Sequence, residues 1–354
     1  MNKTRISVVG YGGIGSWHCD KIREIEELEL AGVYDILESR KAAAEEKGIH
    51  AYKSLEELLA DPTVTIVTVA IPNHLHKPVC IQAMKNGKNV VCEKPVSLNY
   101  EELQEMIQVA EENHVLFTVH QNRRWDEDYL IMRHIYEEGI LGSVFRIESR
   151  VHGSRGIPGD WRNQKENGGG MVLDWGVHLF DQLLLMVKQK ITSIYAELSY
   201  VTNENCDDGF TVTIKFESGL VAMVQVGTSN FIALPRWYIL GENGSAIIQN
   251  FMCEGKIVMV SDWQNRDAVP VVTAAGLTKT MAPRTQETIK EYPLPRQQTD
   301  VRDFYRNVIK TIAGEEEALI THAELKRVMK LMEAVFESGE QNKVITDFEE
   351  RCKM

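Results

Sequence analysis

The feature that most constrains the fold is a regular alternation of short apolar runs with amphipathic segments over the first 120 residues. Each amphipathic segment has a helical pattern, and the apolar runs have the length and β-branched content of buried strands. This alternation predicts βαβ units and therefore a doubly wound, parallel sheet. The predicted strands are residues 6–9, 30–34, 65–70, 89–92 and 116–119.

The pattern changes after about residue 122. From residue 191 to residue 260, apolar and polar residues alternate with a period of two, and turn residues at 217–219 and 242–244 indicate hairpins. No long helical pattern interrupts this region, so we predict an antiparallel sheet. The segment at residues 261–295 is polar, and we expect it to be irregular. The two predicted domains are residues 1–122 and 123–354.

A glycine-rich turn at residues 10–15, with the sequence GYGGIG, follows the first predicted strand and opens the first predicted helix. Gly10 allows the tight turn, Gly12 lets the backbone approach a pyrophosphate, and Gly15 lets the helix pack against the strand. The N-terminus of a helix attracts such an anion. The pattern therefore indicates a dinucleotide site, although a tight turn without a ligand can have the same glycines.

Asp35 ends the second predicted strand, 25 residues after Gly10. A carboxylate at this place accepts hydrogen bonds from an adenosine ribose and repels a 2′-phosphate. The sequence therefore favours NAD over NADP as cofactor, while Arg40 and Lys41 nearby can tolerate a phosphate. The alternative role for Asp35 is to cap the start of a helix.

Composition argues against several partners and locations. The chain has 39 Lys and Arg against 51 Asp and Glu, and this net charge of −12 argues against a nucleic-acid partner. No apolar run is long enough to cross a bilayer, and residues 1–5 lead into a strand without a signal-peptide core. The six cysteines are scattered, with no CxxC pair. We therefore expect a cytoplasmic protein that acts on a small molecule and binds no membrane.

A second group of polar residues follows three glycines at residues 168–170. Asp174 and His178 lie four residues apart in a helix that we predict at residues 171–187, so they share one face, and Asp181 extends that face. Two other interpretations are open: a polar helix surface, or a metal site. Because no third ligand at metal spacing is present in the sequence, we predict no metal.

The motifs occur along the chain in one order, which adds to their weight. They are the turn at 10–15, Pro72-Asn73 with His76, residues 87–95 ending in Glu93-Lys94-Pro95, Trp161-Arg162, and Gly168-Gly169-Gly170 with Asp174 and His178. In this order the sequence resembles the Gfo/Idh/MocA family of oxidoreductases over nearly its whole length. The block at residues 122–126, NRRWD, further resembles a branch that contains scyllo-inositol and sugar dehydrogenases.

This resemblance implies a fold that agrees with the pattern. It implies an N-terminal Rossmann domain, followed by an α/β domain with a large, open, mostly antiparallel sheet that often mediates oligomerisation. Strands at residues 211–216 and 220–225 offer two faces, of which helices can cover only one. We therefore expect a homo-oligomer, a dimer or tetramer, that packs sheet to sheet.

The resemblance also implies a catalytic set of Lys94, Asp174 and His178. A His with a pKa near neutrality suits proton transfer from a carbinol, and a Lys ammonium can stabilise the alkoxide charge. Asp174 would orient hydroxyls or the other catalytic groups. Whether His178 or Lys94 takes the proton stays open. Arg123, Arg124 and His152 are further candidates for substrate contacts.

The cofactor site combines the residues read from the glycine turn with those implied by the resemblance, including Trp161 and Arg162 from the second domain. The residues expected at the cofactor are Gly10, Gly12, Gly13, Ile14, Gly15, Asp35, Pro72, Asn73, His76, Glu93, Lys94, Gln121, Trp161 and Arg162.

The sequence thus predicts an NAD-dependent dehydrogenase for a ring secondary alcohol of a sugar, a sugar derivative or a cyclitol. One alternative is a redox-neutral enzyme that retains NAD and oxidises a sugar hydroxyl only transiently, for glycoside cleavage or epimerisation. A second alternative is a non-catalytic sensor that binds dinucleotide. The presence of Lys94, Asp174 and His178 argues against the sensor, which needs no proton-transfer groups.

Overall fold

The first part of the chain forms a five-stranded parallel sheet in a computed structural model that describes residues 3–265, 269–278 and 281–353. The strands follow the sheet order β2-β1-β3-β4-β5 and are almost wholly buried from β3 onwards. Their bounds are β1 Thr4–Val9, β2 Leu28–Tyr34, β3 Ile66–Val69, β4 Asn89–Cys92 and β5 Phe117–Val119. From β1 the chain passes to β2 on one side, and it then crosses back to β3 on the other side of β1. Because these connections run in opposite directions, a crevice opens at the carboxyl ends of β1 and β3.

Helices connect these parallel strands. The helix α1 begins inside the glycine turn, and α4 begins at the strand end that carries the predicted cofactor residues. The bounds are α1 Gly13–Arg23, α2 Glu38–Glu46, α3 Leu55–Ala60, α4 His76–Lys85 and α5 Tyr100–Glu112. This part of the structure confirms the doubly wound, parallel sheet.

The second sheet has eight strands and begins after α6, Glu127–Glu137. Its spatial order is β15-β12-β11-β10-β6-β9-β8-β7, in which only the β6 and β9 pair is parallel. The strands are β6 Val144–His152, β7 Ile191–Ser199, β8 Gly209–Phe216, β9 Val221–Gly227, β10 Trp237–Gly241, β11 Gly244–Ile248, β12 Gly255–Val260 and β15 Ile289–Tyr292. The expectation of a large, mostly antiparallel sheet is therefore confirmed.

One face of this second sheet is fully buried and the other is only partly buried. Along β8 and β9, every second residue is buried, for example Val212, Ile214 and Val224, because the side chains of a strand alternate between its two faces. The helix α7, Val177–Met186, is itself buried along most of its length.

The last helices return to both sheets. They are α8 Arg302–Ile312, α9 His322–Gln341 and α10 Phe348–Arg351. Helix α8 packs against α1 of the first sheet, while α9 packs against β7 and α7 of the second part and also against α5. The chain after the second sheet thus helps to build the first one. Within the described ranges, no helix is long and apolar enough to cross a membrane.

Two local predictions need correction. The segment at 261–295 is not irregular throughout, because it contains β15 and a hairpin of β13, Val271–Thr273, with β14, Gly276–Thr278. Residues 266–268 and 279–280 of that segment lie outside the described residues. The helix predicted at 171–187 begins with a π-helical turn, Val172–Gly176, and becomes α-helical only at α7.

Candidate active site

Two positions in the glycine turn after β1 tolerate only glycine. Gly10 has a φ of +93°, and a Cβ there would lie 2.3 Å from the carbonyl oxygen of Ala70. A Cβ on Gly15 would lie 1.9 Å from the carbonyl oxygen of Gly10. The space beside Gly13 is open. The turn therefore brings α1 close to β1 and leaves the N-terminal end of α1 accessible to a ligand.

A cleft of about 710 Å³ lies over this turn. It extends from the end of β2 to a loop of the second part of the chain, so both parts contribute walls. The predicted cofactor residues that line it are Gly10, Gly12, Gly13, Ile14, Asp35, Pro72, Trp161 and Arg162. The cleft has the glycine backbone, the carboxylate and the size that a dinucleotide needs.

Asp35 is 4 % exposed, and its carboxylate already has protein partners. It accepts hydrogen bonds from the backbone N–H of Tyr11 at 2.7 Å and of Leu37 at 2.9 Å. The guanidinium of Arg40 lies 3.3 Å from Oδ2 of Asp35, and a Cβ on Gly12 would lie about as far from that guanidinium. Oδ1 keeps accepting capacity for a ribose hydroxyl, while Arg40 brings a positive charge to the same corner of the cleft.

Trp161 and Arg162 reach the cleft from a short 3₁₀ turn, Trp161–Asn163. The guanidinium of Arg162 lies 4.5 Å from the centre of the Trp161 ring and 2.6 Å from Oδ2 of Asp160. Its carbonyl oxygen accepts the N–H of Gly170 at 3.0 Å. The same loop that closes the cleft is therefore tied to the glycine run before Asp174.

Other predicted cofactor residues lie behind the cleft rather than in its wall. Nδ2 of Asn73 donates to the carbonyl of Gly168 at 2.8 Å, which joins the two parts of the chain. His76 is fully buried between the carbonyl oxygens of Ile71 and Pro95, each 2.9 Å from a ring nitrogen. Gln121 is 2 % exposed, and its Oε1 has no partner.

Lys94 and Asp174 meet although they are far apart in the sequence. Lys94 follows β4, and its ammonium lies 2.9 Å from Oδ1 of Asp174 and 3.0 Å from the backbone oxygen of that residue. Burial would raise the pKa of Asp174, but the charge and hydrogen bond of Lys94, together with the charges of Arg162 and Arg123, outweigh burial and lower that pKa. Asp174 is therefore ionised and holds the ammonium in place.

His178 lies one helical turn after Asp174 and is 4 % exposed. Its Nδ1 has no hydrogen-bond partner. Burial lowers the pKa of His178 well below its usual range, and the positive charges of Lys94 and Arg123 lower it further. At neutral pH the ring is uncharged, so a nitrogen lone pair is available to accept a proton.

The neighbours of this group differ in part from the sequence-based picture. The carboxylate of Asp181 is not free to join Asp174 and His178, because it forms a buried pair with Arg124 at 2.6 Å. His152 pairs with Gln225 on the second sheet at 3.0 Å. Arg123 lies closer to the candidate catalytic group. Its guanidinium is 4.2 Å from the ring centre of Trp175, the residue directly after Asp174. Of the three further substrate candidates, Arg123 is the one beside the candidate catalytic group.

A cluster that the sequence analysis did not find lies directly before Lys94. Oε1 of Glu93 lies 2.8 Å from Nε2 of His18 and 2.7 Å from Nδ1 of His120. The three side chains offer metal-ligand atoms within 4.8 Å of one another. The separate positions of these residues along the chain give no motif, so only the fold brings them together.

Comparisons with known proteins agree with this geometry. A family model described as "Oxidoreductase family, NAD-binding Rossmann fold" (GFO_IDH_MocA) matches residues 4–121, and one described as "GFO/IDH/MocA C-terminal domain" matches residues 129–247. The chain belongs to the Gfo/Idh/MocA family. It thus belongs to a family described as oxidoreductases with an NAD-binding Rossmann fold, as its sequence indicated.

Individual relatives share the fold over different lengths. The solved structure of an NAD-binding protein from Listeria innocua is 44% identical, with a TM-score of 0.94, and the match covers 98% of this chain and 100% of that one. A myo-inositol 2-dehydrogenase of Thermotoga maritima is 31% identical over 229 residues, 62% of this chain and 67% of the relative. A scyllo-inositol 2-dehydrogenase (NADP(+)) of Bacillus subtilis is 24% identical, covering 98% of this chain and 96% of the relative.

The chain spans 43% and 62% of the length of two further curated relatives, both oxidoreductases of Schizosaccharomyces pombe. The activities in these names belong to the relatives.

Proposed function

We propose that this protein is an NAD-dependent dehydrogenase that transfers hydride between nicotinamide and a ring secondary alcohol of a sugar, a sugar derivative or a cyclitol. The observation that carries the proposal is the site formed by Lys94, Asp174 and His178. An ammonium on a carboxylate lies there near a buried, uncharged His with an unpartnered nitrogen. The inositol dehydrogenases among the relatives support this class of substrate.

The cofactor fits the residues present. The glycine turn leaves room for a pyrophosphate, and Asp35 offers an acceptor for ribose. Bound NAD would supply a hydride acceptor. Trp161 and Arg162 would close the site from the second part of the chain and help to exclude water.

The side chains of this chain would handle the proton. The imidazole of His178 would accept the hydroxyl proton of the alcohol, because its ring is neutral and one of its nitrogens carries a free lone pair. The Lys94 ammonium would stabilise the alkoxide charge as it develops. Asp174 would hold that ammonium in position. In the reverse direction, His178 would return the proton to the carbonyl oxygen.

The proposal extends to the architecture and the assembly. We place the domain boundary near residue 122, with the substrate and oligomerisation domain at residues 123–354. The half-buried outer face of the second sheet supports a homo-oligomer, in which two copies pack sheet to sheet. The scattered cysteines support a cytoplasmic location.

The test is a screen of NAD reduction at 340 nm against aldoses, glycosides, sugar phosphates, myo-inositol and scyllo-inositol. Turnover of at least one ring alcohol is expected, and the same preparation of Lys94→Met should lose it. A different result would favour the redox-neutral alternative: NAD recovered with the purified protein in a ratio of about one per chain, with glycoside cleavage or epimerisation but no net NADH.

A further inference from the structure

Four buried side chains form one hydrogen-bonded group, which we name the Glu93 cluster: Glu93, His18, His120 and Tyr305. Their exposure is 6 % for Glu93, 1 % for Tyr305 and zero for both histidines. Oε1 of Glu93 contacts a nitrogen of each His at 2.8 and 2.7 Å. The Tyr305 hydroxyl lies 2.8 Å from Nδ1 of His18. The cluster thus runs from helix α8 to the end of β4.

The direction of these hydrogen bonds follows from the charges. Burial would raise the pKa of Glu93, but the attraction and hydrogen bonds from His120 and His18 outweigh burial and hold that pKa well below its usual range. Burial lowers the pKa of His18. An ionised carboxylate only accepts, so each His donates one N–H to Glu93, and the Tyr305 hydroxyl donates to His18. The Thr68 hydroxyl, 3.1 Å from that of Tyr305, completes the chain.

The cluster ends at the backbone of Lys94. The second oxygen of Glu93, Oε2, accepts the N–H of Lys94 at 3.1 Å. On the other side of Lys94, the buried His76 lies 2.9 Å from the carbonyl oxygen of Pro95. The backbone that carries the ammonium is therefore held on both sides by buried side chains, while the ammonium itself extends to Asp174.

We propose that the Glu93 cluster is a positioning element for Lys94, which transmits the packing of helix α8 to the candidate catalytic ammonium. This inference rests on the proposed function, because it assigns the ammonium its role. Glu93 is a positioning residue here, and it acts through the N–H of Lys94 rather than by contact with substrate. A misplacement of about 1 Å in a reacting group can cost about 10²-fold in rate, so such support has measurable value.

A metal ion does not fit the same three groups as they stand. The oxygen-to-nitrogen distances of 2.8 and 2.7 Å are those of hydrogen bonds. A zinc ion would need all its ligands at about 2.0–2.2 Å, with the Glu93 oxygen beside the ion rather than between the two rings. The second nitrogen of His18 is already engaged by Tyr305. The geometry therefore favours a hydrogen-bonded network.

The first experiment needs no substrate. Amide hydrogen exchange is measured on the peptide that contains Lys94, in the full-length protein and in Glu93→Gln, Tyr305→Phe and Lys88→Met. Gln has one acceptor oxygen for the three N–H groups that Glu93 accepts, so the hydrogen bond to the N–H of Lys94 weakens and exchange should rise at least tenfold. Tyr305→Phe removes the hydrogen bond to His18. It should raise exchange about threefold at Lys94, which Tyr305 does not contact.

Lys88→Met is the matched control. Lys88 is 6 % exposed, and its ammonium donates to the carbonyl oxygens of Asp61 and Val64 at the opposite end of β4. Its loss should lower thermal stability without changing exchange at Lys94. Equal exchange in all three variants would overturn the proposal, and so would a stoichiometric metal ion in the purified protein. If Glu93→Gln fails to fold, the comparison of Tyr305→Phe with Lys88→Met decides.

The second experiment uses the alcohol with the fastest turnover in the screen. Glu93→Gln should lower kcat about 10²-fold while the Kd for NAD, from titration with NAD, changes less than threefold. Lys88→Met should keep kcat. A fall in kcat that is equal in Tyr305→Phe and Lys88→Met would mean that the cluster serves stability alone. If no alcohol is oxidised, the proposed function fails, and the exchange experiment still decides the positioning role.

Discussion

The ammonium of Lys94 lies 2.9 Å from Oδ1 of Asp174, so one ion pair joins the end of a parallel strand to the π-helical turn after the glycine run. Both side chains are partly accessible, at 18% and 23% exposure, which places the pair at the border between core and solvent. Asp174 holds the ammonium of Lys94 beside the helical segment that carries His178. A base and a cation that stabilises an oxyanion are thereby held together.

The first prediction tests these roles. His178→Ala should lose about 10²–10⁴ in kcat, the usual range for removal of a general base. Its Kd for NAD should change less than threefold, because the glycine turn and Asp35 are untouched. Lys94→Ala should lose at least as much in kcat, since it removes a charge that faces the transition state. Steady-state kinetics and NAD titration on the same preparations measure both quantities.

Several results would contradict this assignment. A near-normal kcat in His178→Ala would remove His178 as the base and leave Lys94 as the proton acceptor. A near-normal kcat in both variants would mean that the chemistry lies elsewhere. Asp181→Asn serves as a control on the same helix, because its carboxylate pairs with Arg124 rather than with Lys94. We expect it to lower stability with little effect on kcat.

The second prediction concerns pH. Burial and the charges of Lys94 and Arg123 lower the pKa of His178 below 6.5, while Glu93 opposes this effect. Because the neutral ring is the active form, kcat/KM for oxidation should fall on the acid side only below pH 6.5. Arg123→Gln removes one of the lowering charges and should move this limb to higher pH. A limb that does not move in that variant argues against His178 as the titrating group.

The sequence predicted the parts of this molecule that depend on local pattern. The glycine turn predicts the start of helix α1. The four-residue spacing of Asp174 and His178 predicts that they share a helix face. The partner of Lys94 came from the family resemblance rather than from spacing. The π-helical turn at Val172–Gly176 adds a residue to the first turn, which no periodicity indicates.

The Glu93 cluster could not be predicted, for a physical reason. Tyr305 contacts His18 across 287 positions of sequence, and His120 contacts Glu93 across 27. Each of these residues alone is indistinguishable from an ordinary core residue. Helix α8 packs against the first part of the chain through tertiary contacts, and such contacts leave no signal in the local sequence pattern.

The third prediction concerns cofactor choice. Asp35 should make kcat/KM with NAD at least tenfold higher than with NADP, a discrimination of about 1.4 kcal/mol. Asp35→Ser should narrow that gap. Arg40→Ala should lower the use of NADP more than that of NAD, because the guanidinium stands 3.3 Å from the Asp35 carboxylate, where a 2′-phosphate would lie. Equal use of both cofactors by the unmutated protein would contradict the role of Asp35.

The fourth prediction concerns assembly. Met223 lies in the centre of the outer face of the second sheet, beside Glu148 of the neighbouring strand. Glu148 already pairs with Arg146 and Arg150, so Met223→Lys would add an unpaired cation to this face and would bury that charge in a sheet-to-sheet interface. We expect a dimer or tetramer for the unmutated protein and a smaller species for this variant, as measured by light scattering at micromolar concentration. Glu46→Lys, on exposed α2, should leave the assembly unchanged, and a monomeric unmutated protein would contradict the interface.

The last prediction concerns the loop that leads into the active site. Asp207 accepts the N–H of Val172 at 2.8 Å, and a Cβ on Gly170 would lie 2.3 Å from its Oδ1. Burial raises the pKa of Asp207 to about 7. The neighbouring Asp208 has the opposite shift, because hydrogen bonds from Thr202 and Ser199 outweigh its burial and lower its pKa.

The signs of the two effects are therefore opposite. A carboxyl with a pKa raised in the folded state stabilises the fold at low pH and loses that contribution as pH rises through 7. Asp207→Asn cannot titrate, so its thermal midpoint relative to the unmutated protein should increase by a few degrees between pH 5 and pH 8. Asp208→Asn should instead be most destabilising at high pH, where the carboxylate it replaces is ionised. A constant difference in midpoint for Asp207→Asn across this range would show that Asp207 is already ionised at pH 5.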